Sequence, residues 1–385
     1  LHTYPHATNN RLRLHQRGYL FATARQQELQ SLQQQAETNA GYGGGELRHH
    51  QSGSTGTSYR ASPDNGFAND LDGADLITSQ ALIQRHFPYL TQDTAGVLHV
   101  RKCGVLSAHE LGMTLLETAR NRSVEFITGE LRGCDTSAGQ LTSVTVNTGS
   151  KSQEIKTSAL VLATGPYLKA TAALAGTDLP VVVEKHVKIN LADTLGIIPR
   201  HAPLSIWNDP TDLVWSDEER ALLADSADTK YLSETFPAGV HGRPVGAGNQ
   251  VFIYWTYDCP ISDHPQFPVT ADDVYPEILL RGMTRMVPGL SAYLDPMPRP
   301  YVDGGYYTKM ADNRPVIGPL SVPGTYVCSA FSGYGIMASC AAGKLLASHI
   351  TGSTLPQYAS AFTATRFDDP AYLAHMSHLS GSGQI

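Results

Sequence analysis

Gly324-Thr325-Tyr326-Val327-Cys328-Ser329-Ala330-Phe331-Ser332-Gly333-Tyr334-Gly335-Ile336 runs from a β-branched and aromatic stretch, through a glycine-rich turn, into an alanine-rich segment that continues to Ile350. The pattern predicts a strand, a tight turn and a helix. Gly333-x-Gly335-x-x-Ala338 has the spacing of a dinucleotide-binding fingerprint. That fingerprint also needs an acidic residue about 20 positions on, after a second strand. Positions 350–360 hold neither Asp nor Glu, so the turn does not read as a Rossmann site. Two readings remain. One is a strand–helix connection packed for its own sake. The other is a helix N-terminus approached by a planar, electron-accepting ligand: glycines let the backbone come near, and the positive helix end favours negative charge. On the second reading the Gly333–Ile336 amides point into the main cleft.

Two other segments stand out. Ser158-Ala159-Leu160-Val161-Leu162-Ala163 reads as a strand buried on both faces, as in a parallel sheet, and ends in Thr164-Gly165. Tyr306-Tyr307-Thr308 followed by Asp312-Asn313-Arg314-Pro315-Val316-Ile317-Gly318 reads, alone, as a Pro/Gly turn with an Asx-type start.

Around these, strands are expected at 17–23, 96–101, 124–128, 141–148, 155–156, 180–192 and 249–257. Helices are expected at 25–37, 79–87, 107–120 and 271–287, with a short acidic one at 217–220 in a loop-like stretch. Residues 40–66 read as a flexible surface insertion, with Gly41, Gly43 and Gly45 and a solvated His49-His50 pair.

The chain has 385 residues, 41% hydrophobic and 16% charged, an ordinary globular composition sufficient for two or three domains. With 28 basic and 35 acidic residues the net charge is −7, which argues against a nucleic-acid surface. Cys103, Cys134, Cys259, Cys328 and Cys340 lie far apart without a C-x-x-C pair, so neither a disulfide framework nor a metal site is expected. No run approaches the roughly 18 apolar residues of a membrane span. There is no signal-peptide pattern, and a soluble protein of the cytoplasm or an organelle is expected rather than a secreted one.

In this order and spacing, the three segments resemble the D-amino-acid-oxidase-like family of FAD-dependent oxidoreductases, which includes sarcosine oxidase, glycine oxidase and dimethylglycine dehydrogenase. The family's Y-T-x-x-x-D-x-x-P-x-I-G segment is matched by Tyr307, Thr308, Asp312, Pro315, Ile317 and Gly318. Its strand ending in A-x-G is matched at Ala163 and Gly165, and its G-F-S-G-x-G-I turn at 330–336. The resemblance implies a mixed α/β fold. A discontinuous FAD-binding domain with a parallel sheet would span 101–175 and 305–352. An antiparallel-rich substrate domain would span 1–100 and 176–304, with a C-terminal tail at 353–385. It implies FAD as cofactor, held by Leu131, Ala163, Thr164, Gly165, Tyr307, Gly318, Ser332, Gly333, Tyr334, Gly335, Ile336 and Met337. The implied reaction is oxidation of a C–N bond of an amine or amino acid by hydride transfer to flavin.

The departures from the family carry information. Gly305 stands where sarcosine-oxidase members attach flavin through a cysteine, which implies non-covalent FAD. Met337 replaces their carboxylate-holding lysine, and Tyr306 and Gly333 stand near the arginines of glycine-oxidase members. Arg243, Lys309 and His241 are the candidate replacement cations. Tyr254, Trp255 and Tyr257 would line the substrate side, though strand alternation sends only some of them inward. Nothing before residue 100 has the strand and G-x-G-x-x-G that hold the pyrophosphate in relatives. The expectation is a fragment short of roughly half a domain, a half supplied by a second polypeptide, or a chain without FAD. The rival reading is a non-catalytic subunit or relic that keeps the fold.

Overall fold

The structure is a computed structural model; it describes residues 8–52, 58–63, 67 and 71–376. In chain order it begins with β1 (Tyr19–Thr23), α1 (Gln26–Gly41), β2 (Leu47–His50), β3 (Ala74–Ile77), α2 (Gln80–His86), β4 (Gly96–Val100) and α3 (Ala108–Arg120). Next come β5 (Glu130–Ser137), β6 (Gln140–Thr148), β7 (Lys151–Lys156), β8 (Leu160–Leu162), α4 (Leu168–Leu174), β9 (Val181–Ala192) and β10 (Leu204–Trp207). Then follow β11 (Thr211–Asp212), α5 (Asp217–Ala224), β12 (Thr235–Phe236), β13 (His241–Pro244), β14 (Gln250–Tyr254) and α6 (Tyr275–Met286). The last elements are β15 (Tyr301–Met310), β16 (Val316–Pro319), β17 (Thr325–Ser329), α7 (Gly335–Thr351) and α8 (Pro370–Met376).

Nine strands form one mixed sheet in the order β15-β9-β14-β13-β10-β1-β4-β3-β2. The β1–β10 and β2–β3 pairs are parallel and the remaining pairs antiparallel. Alternation gives this sheet two different faces. Leu20, Ala22, Val97, Val187, Ile189, Leu191, Val251 and Ile253 point to one face and pack with Ile278, Leu279 and Met283 of α6 in the main core. Each fully buried Leu, Ile, Val or Met side chain among them contributes about 1.5–3 kcal/mol. On the other face, α1 lays Leu29, Leu32 and Ala36 over Phe21 and Leu98, covering only the β1-β4-β3-β2 end. The β13-β14-β9-β15 end of that face carries the polar side chains considered below.

A second sheet, β16-β17-β8, has β17 parallel to β8 and β16 antiparallel to β17. Leu345 and Leu346 of α7 pack with Ile317 on one side, and Leu168 and Ala172 of α4 pack with Leu162 and Val327 on the other. An antiparallel meander, β5-β6-β7, stands beside it.

Several expectations need correction. Residues 124–128 are not a strand, and Val124 and Phe126 are 56% and 61% exposed. Their β-branched and aromatic character suits a pleated, half-buried surface, but no described strand pairs with them, and a strand needs a ladder partner. The 249–257 run ends as a strand at Tyr254. The 40–66 stretch is partly ordered: Leu47–His50 pairs parallel with β3, and His50 is buried rather than solvated, its Nε2 2.7 Å from Asp75. Asp75 also accepts from Arg48 at 2.8 and 2.9 Å and from Arg101. Residues 53–57 and 64–66 of that stretch lie outside the described ones. Gly41 to Gly44 close the C-terminus of α1, where the Gly43 and Gly44 amides bond back to Ala40 and Asn39. Apart from these corrections, residues 353–376 are tied to the rest by Arg366, which donates to Asp312 at 2.7 and 3.0 Å, both side chains being buried.

Candidate active site

Gly333 and Tyr307 bring the two sheets together. The Ser332 amide donates to the Thr308 carbonyl at 3.0 Å, which ties the glycine turn to β15. A Cβ at Gly333 would lie 3.0 Å from the Tyr307 ring, so the absence of a side chain lets that ring approach. The turn is built from sparsely populated backbone: Ala330 and Ser332 have φ of 59° and 51°. Such conformations cost on the order of 1–3 kcal/mol each and persist where surrounding bonds hold them. Here the Ser332 hydroxyl also pairs with the Asn313 side chain, and the Tyr334 amide donates to the Phe331 carbonyl.

From Tyr307 the site extends across the large sheet. His186 stacks on the Tyr307 ring with centroids 3.8 Å apart. The Tyr254 hydroxyl bonds His186 Nδ1, and the Tyr254 ring meets His241 edge-on at 5.0 Å. Register explains the grouping: Tyr254 lies opposite His241 and Lys188, and Tyr307 opposite Glu184, so these side chains share one face. Burial drives down the affinity of His241 for a proton, to a pKa of about 4. Burial likewise raises the Tyr254 and Tyr307 hydroxyls above their ordinary range. Arg243, two residues beyond His241, stacks over Phe252 at 5.1 Å and donates to the Pro244 carbonyl at 3.2 Å. It has no carboxylate partner among the described residues. Burial disfavours its charge, and it sits close enough to Tyr19 for the two to interact electrostatically.

The other sequence candidates are dispersed. Lys309 pairs with Glu184 at 2.5 Å. Tyr257 stacks on Tyr275, and Trp255 is fully buried beside Gly282, so both belong to the α6 side of the sheet. Leu131 is half-buried on β5, against the cluster of Leu162, Leu168 and Val327. Ala163, Thr164 and Gly165 follow β8; Ala163 is exposed, Thr164 bonds Thr171 at 2.7 Å, and Gly165 at φ 52° faces open space. Gly318 lies against His349 and Thr363, toward the far end of α7 from the turn. Ile336 and Met337 are 38% and 61% exposed. The turn therefore lies on an open surface and not, as the sequence led us to expect, in a main cleft. A cavity of about 270 Å³ sits elsewhere, under α1 against Tyr19, Phe21 and Leu98.

Glu184, His186 and Cys259 escaped the sequence reading. Glu184 and His186 carry a signal that was available: residues two apart on a strand share a face. Cys259 Sγ, 3.5 Å from His186 Nδ1, sits in a loop and has no such signal.

A glycine-turned helix start set against an aromatic and polar sheet face is the arrangement of a flavin-dependent oxidoreductase. The family model for FAD dependent oxidoreductases matches residues 4–349, and the chain belongs to that family. L-proline dehydrogenase from P. horikoshii has a similar structure, with a TM-score of 0.65 at 19% identity over 95% of this chain and 80% of that one. Glycine oxidase from Geobacillus kaustophilus gives 0.67 at 14% identity over 95% and 79%. L-amino acid deaminase from Proteus myxofaciens, solved with anthranilate, gives 0.64 at 14% over 96% and 79%. At these identities the likeness is one of fold. No curated protein matches the chain. FAD is the cofactor of the family. The close approach at Gly333, the open space at Gly305 and the oriented start of α7 fit the ring end of that group. Among the described residues no glycine-rich strand–turn–helix offers amides to its pyrophosphate. No described helix is long and apolar enough to cross a membrane.

Proposed function

We propose that the protein oxidises a C–N bond of an amino acid or a secondary or tertiary amine. The observation that carries this reading is the junction of Gly333 with Tyr307 and, through it, with His186 and Tyr254. FAD, bound non-covalently because Gly305 offers no thiol, supplies a two-electron acceptor. Ser332, Gly333, Tyr334, Gly335, Ile336 and Met337 would hold the ring end, with the helix start favouring negative charge on it. Ala163, Thr164 and Gly165 would line the cofactor's path beyond β8, and Leu131 and Gly318 complete the set carried over from the resemblance. The FAD-binding domain (101–175 and 305–352) and the substrate domain (1–100 and 176–304) would share β15, which crosses the 305 boundary along β9, and the pyrophosphate amides would come from a further segment or a second polypeptide.

Arg243 is the residue assigned to the substrate carboxylate. A half-buried guanidinium without an acidic partner is costly, and an incoming carboxylate would relieve that cost by a bidentate charge-assisted pair. Lys309 is already matched by Glu184, which leaves it second. The solved structures of similar fold are those of dehydrogenases, oxidases and deaminases, which lends no support to a non-catalytic relic. The test is visible absorbance of the protein with added FAD, followed during anaerobic addition of glycine, N-methylglycine and L-proline. Bleaching by any of the three supports the reading. Bound flavin that none of them bleaches counts against it.

A further inference from the structure

His186 has more partners than a packing residue needs. Its Nε2 lies 3.3 Å from Glu184, its Nδ1 meets the Tyr254 hydroxyl, and its ring lies on Tyr307. A carboxylate at Nε2 accepts the ring N–H and leaves Nδ1 with a free lone pair, so the Tyr254 hydroxyl donates to Nδ1. The chain then continues outward. Glu184 is 21% exposed and is held by Lys309 at 2.5 Å, whereas His186 is only 5% exposed. The Glu184 end reaches water, and the Tyr254 end is buried beside Tyr307, the ring that meets Gly333 of the turn.

Resting on the amine-oxidation reading, we propose that Tyr254, His186 and Glu184 form a proton relay that deprotonates the substrate's ammonium nitrogen. An ammonium has no lone pair to stabilise the developing C=N bond, so a proton must leave before hydride can. In the relay an N–H bond of the ammonium breaks and its proton passes to the Tyr254 oxygen. The hydroxyl's own proton moves to His186 Nδ1. The imidazolium formed is balanced by Glu184 and releases its Nε2 proton to water at the exposed end, and proton exchange with water restores the Nε2–H tautomer before the next turnover. The substrate is left as a neutral amine, and no electrons change hands in the relay.

The groups around His186 agree with this role. They are Glu184 on its own strand, Tyr307 and Lys309 from β15, Tyr254 from β14 with His241 behind it, and Cys259 from the following loop. Burial, the largest influence, lowers the proton affinity of His186; Glu184 raises it and Lys309 lowers it. The imidazole is thus neutral and able to accept at neutral pH. Burial pushes the Cys259 thiol up to about 11, so it stays protonated and does not compete as a base.

The test compares wild type, His186→Asn, Glu184→Gln and Lys309→Met with FAD added and N-methylglycine and L-proline as probes. Anaerobic flavin bleaching near neutral pH should slow about a hundredfold or more in His186→Asn, in line with the usual worth of a positioned acid–base group, and added imidazole should restore part of it. In wild type the rate should fall on acidification through the His186 titration. That acid limb should move to lower pH in Glu184→Gln, which loses the charge favouring imidazolium. It should move to higher pH in Lys309→Met, which loses the charge opposing it. A merely structural role would lower rates without moving the limb. Unchanged bleaching in His186→Asn, or a limb fixed in both other variants, overturns the relay and leaves amine oxidation standing. Flavin that binds but is not bleached in wild type counts against the amine-oxidation reading instead. Nitrogen NMR of labelled histidine then decides the relay: a neutral Nε2–H tautomer of His186 supports it, and an Nδ1–H tautomer or a charged ring at neutral pH overturns it.

Discussion

Arg243 shows how far single residues can be read. The sequence singles it out because Met337, Tyr306 and Gly333 leave no cation at the positions relatives use. The structure puts it on the same sheet face as His241 and Tyr254, stacked on Phe252. Arg243→Ala should raise KM for a carboxylate substrate by at least about tenfold, close to 1.4 kcal/mol of lost binding, with a smaller effect on kcat. An unchanged KM in steady-state kinetics would favour an amine without a carboxylate. Tyr307, Tyr254 and Gly333, named from motif and strand alternation, come together in the structure at the junction of the two sheets. The spacing of Glu184 and His186 shows that they share a face, but not which face that is. An E-x-H pair on a strand looks like a solvated edge until the register shows which face it joins. Asp312 was legible as a motif position, but its role was not: it holds Arg366, which lies 54 residues further on. Burial opposes the ionised Asp312, but bonds from Arg366, Tyr372 and the Arg314 amide outweigh this and hold its carboxyl below the ordinary range. A folded-state pKa below the unfolded one gives stability that is present above the unfolded value. That stability is lost as pH falls through the folded value. Asp312→Asn should therefore cost about 3–5 kcal/mol near neutral pH, the usual cost of breaking a buried pair. The difference from wild type should shrink on acidification below the ordinary carboxylate range. Urea unfolding at several pH values measures both effects.

At the scale of elements, local chemistry located most strands and helices, and tertiary partners decided the exceptions. Helix α3 starts at Ser107, whose hydroxyl accepts from the Glu110 amide, a cap visible in the sequence. The 124–128 run has strand-like residues and no strand, since pairing is a property of neighbours. Residues 47–50 form a strand that the glycine-rich context concealed, because β3 pairs with it from beyond the insertion. Helix α6 illustrates a packing constraint. A Cβ at Gly282 would come within 2.3 Å of the Trp255 ring, so the glycine lets the helix lie flat on the sheet. Gly282→Ala gains up to about 1 kcal/mol in helix propensity. It should still destabilise the protein on balance, because overpacking a close-packed core costs about 1–3 kcal/mol. A urea midpoint below wild type would agree. A midpoint above it would mean that Trp255 can shift freely.

At the scale of the molecule, the two sheets meet where Ser332 bonds Thr308 and Gly333 admits Tyr307, and the account of function rests on that junction. The family and the mixed α/β class were readable because three short motifs fall in order across the chain. The mixed character of the nine-stranded sheet was not readable, since strand order depends on crossovers that no local pattern records. The most direct test is anaerobic spectroscopy of the protein with FAD in excess and an artificial electron acceptor present, using N-methylglycine and L-proline as substrates. The account predicts acceptor reduction that requires both FAD and amine and falls about a hundredfold or more in His186→Asn. Acceptor reduction that is absent with flavin demonstrably bound, or that proceeds equally without amine, would contradict it.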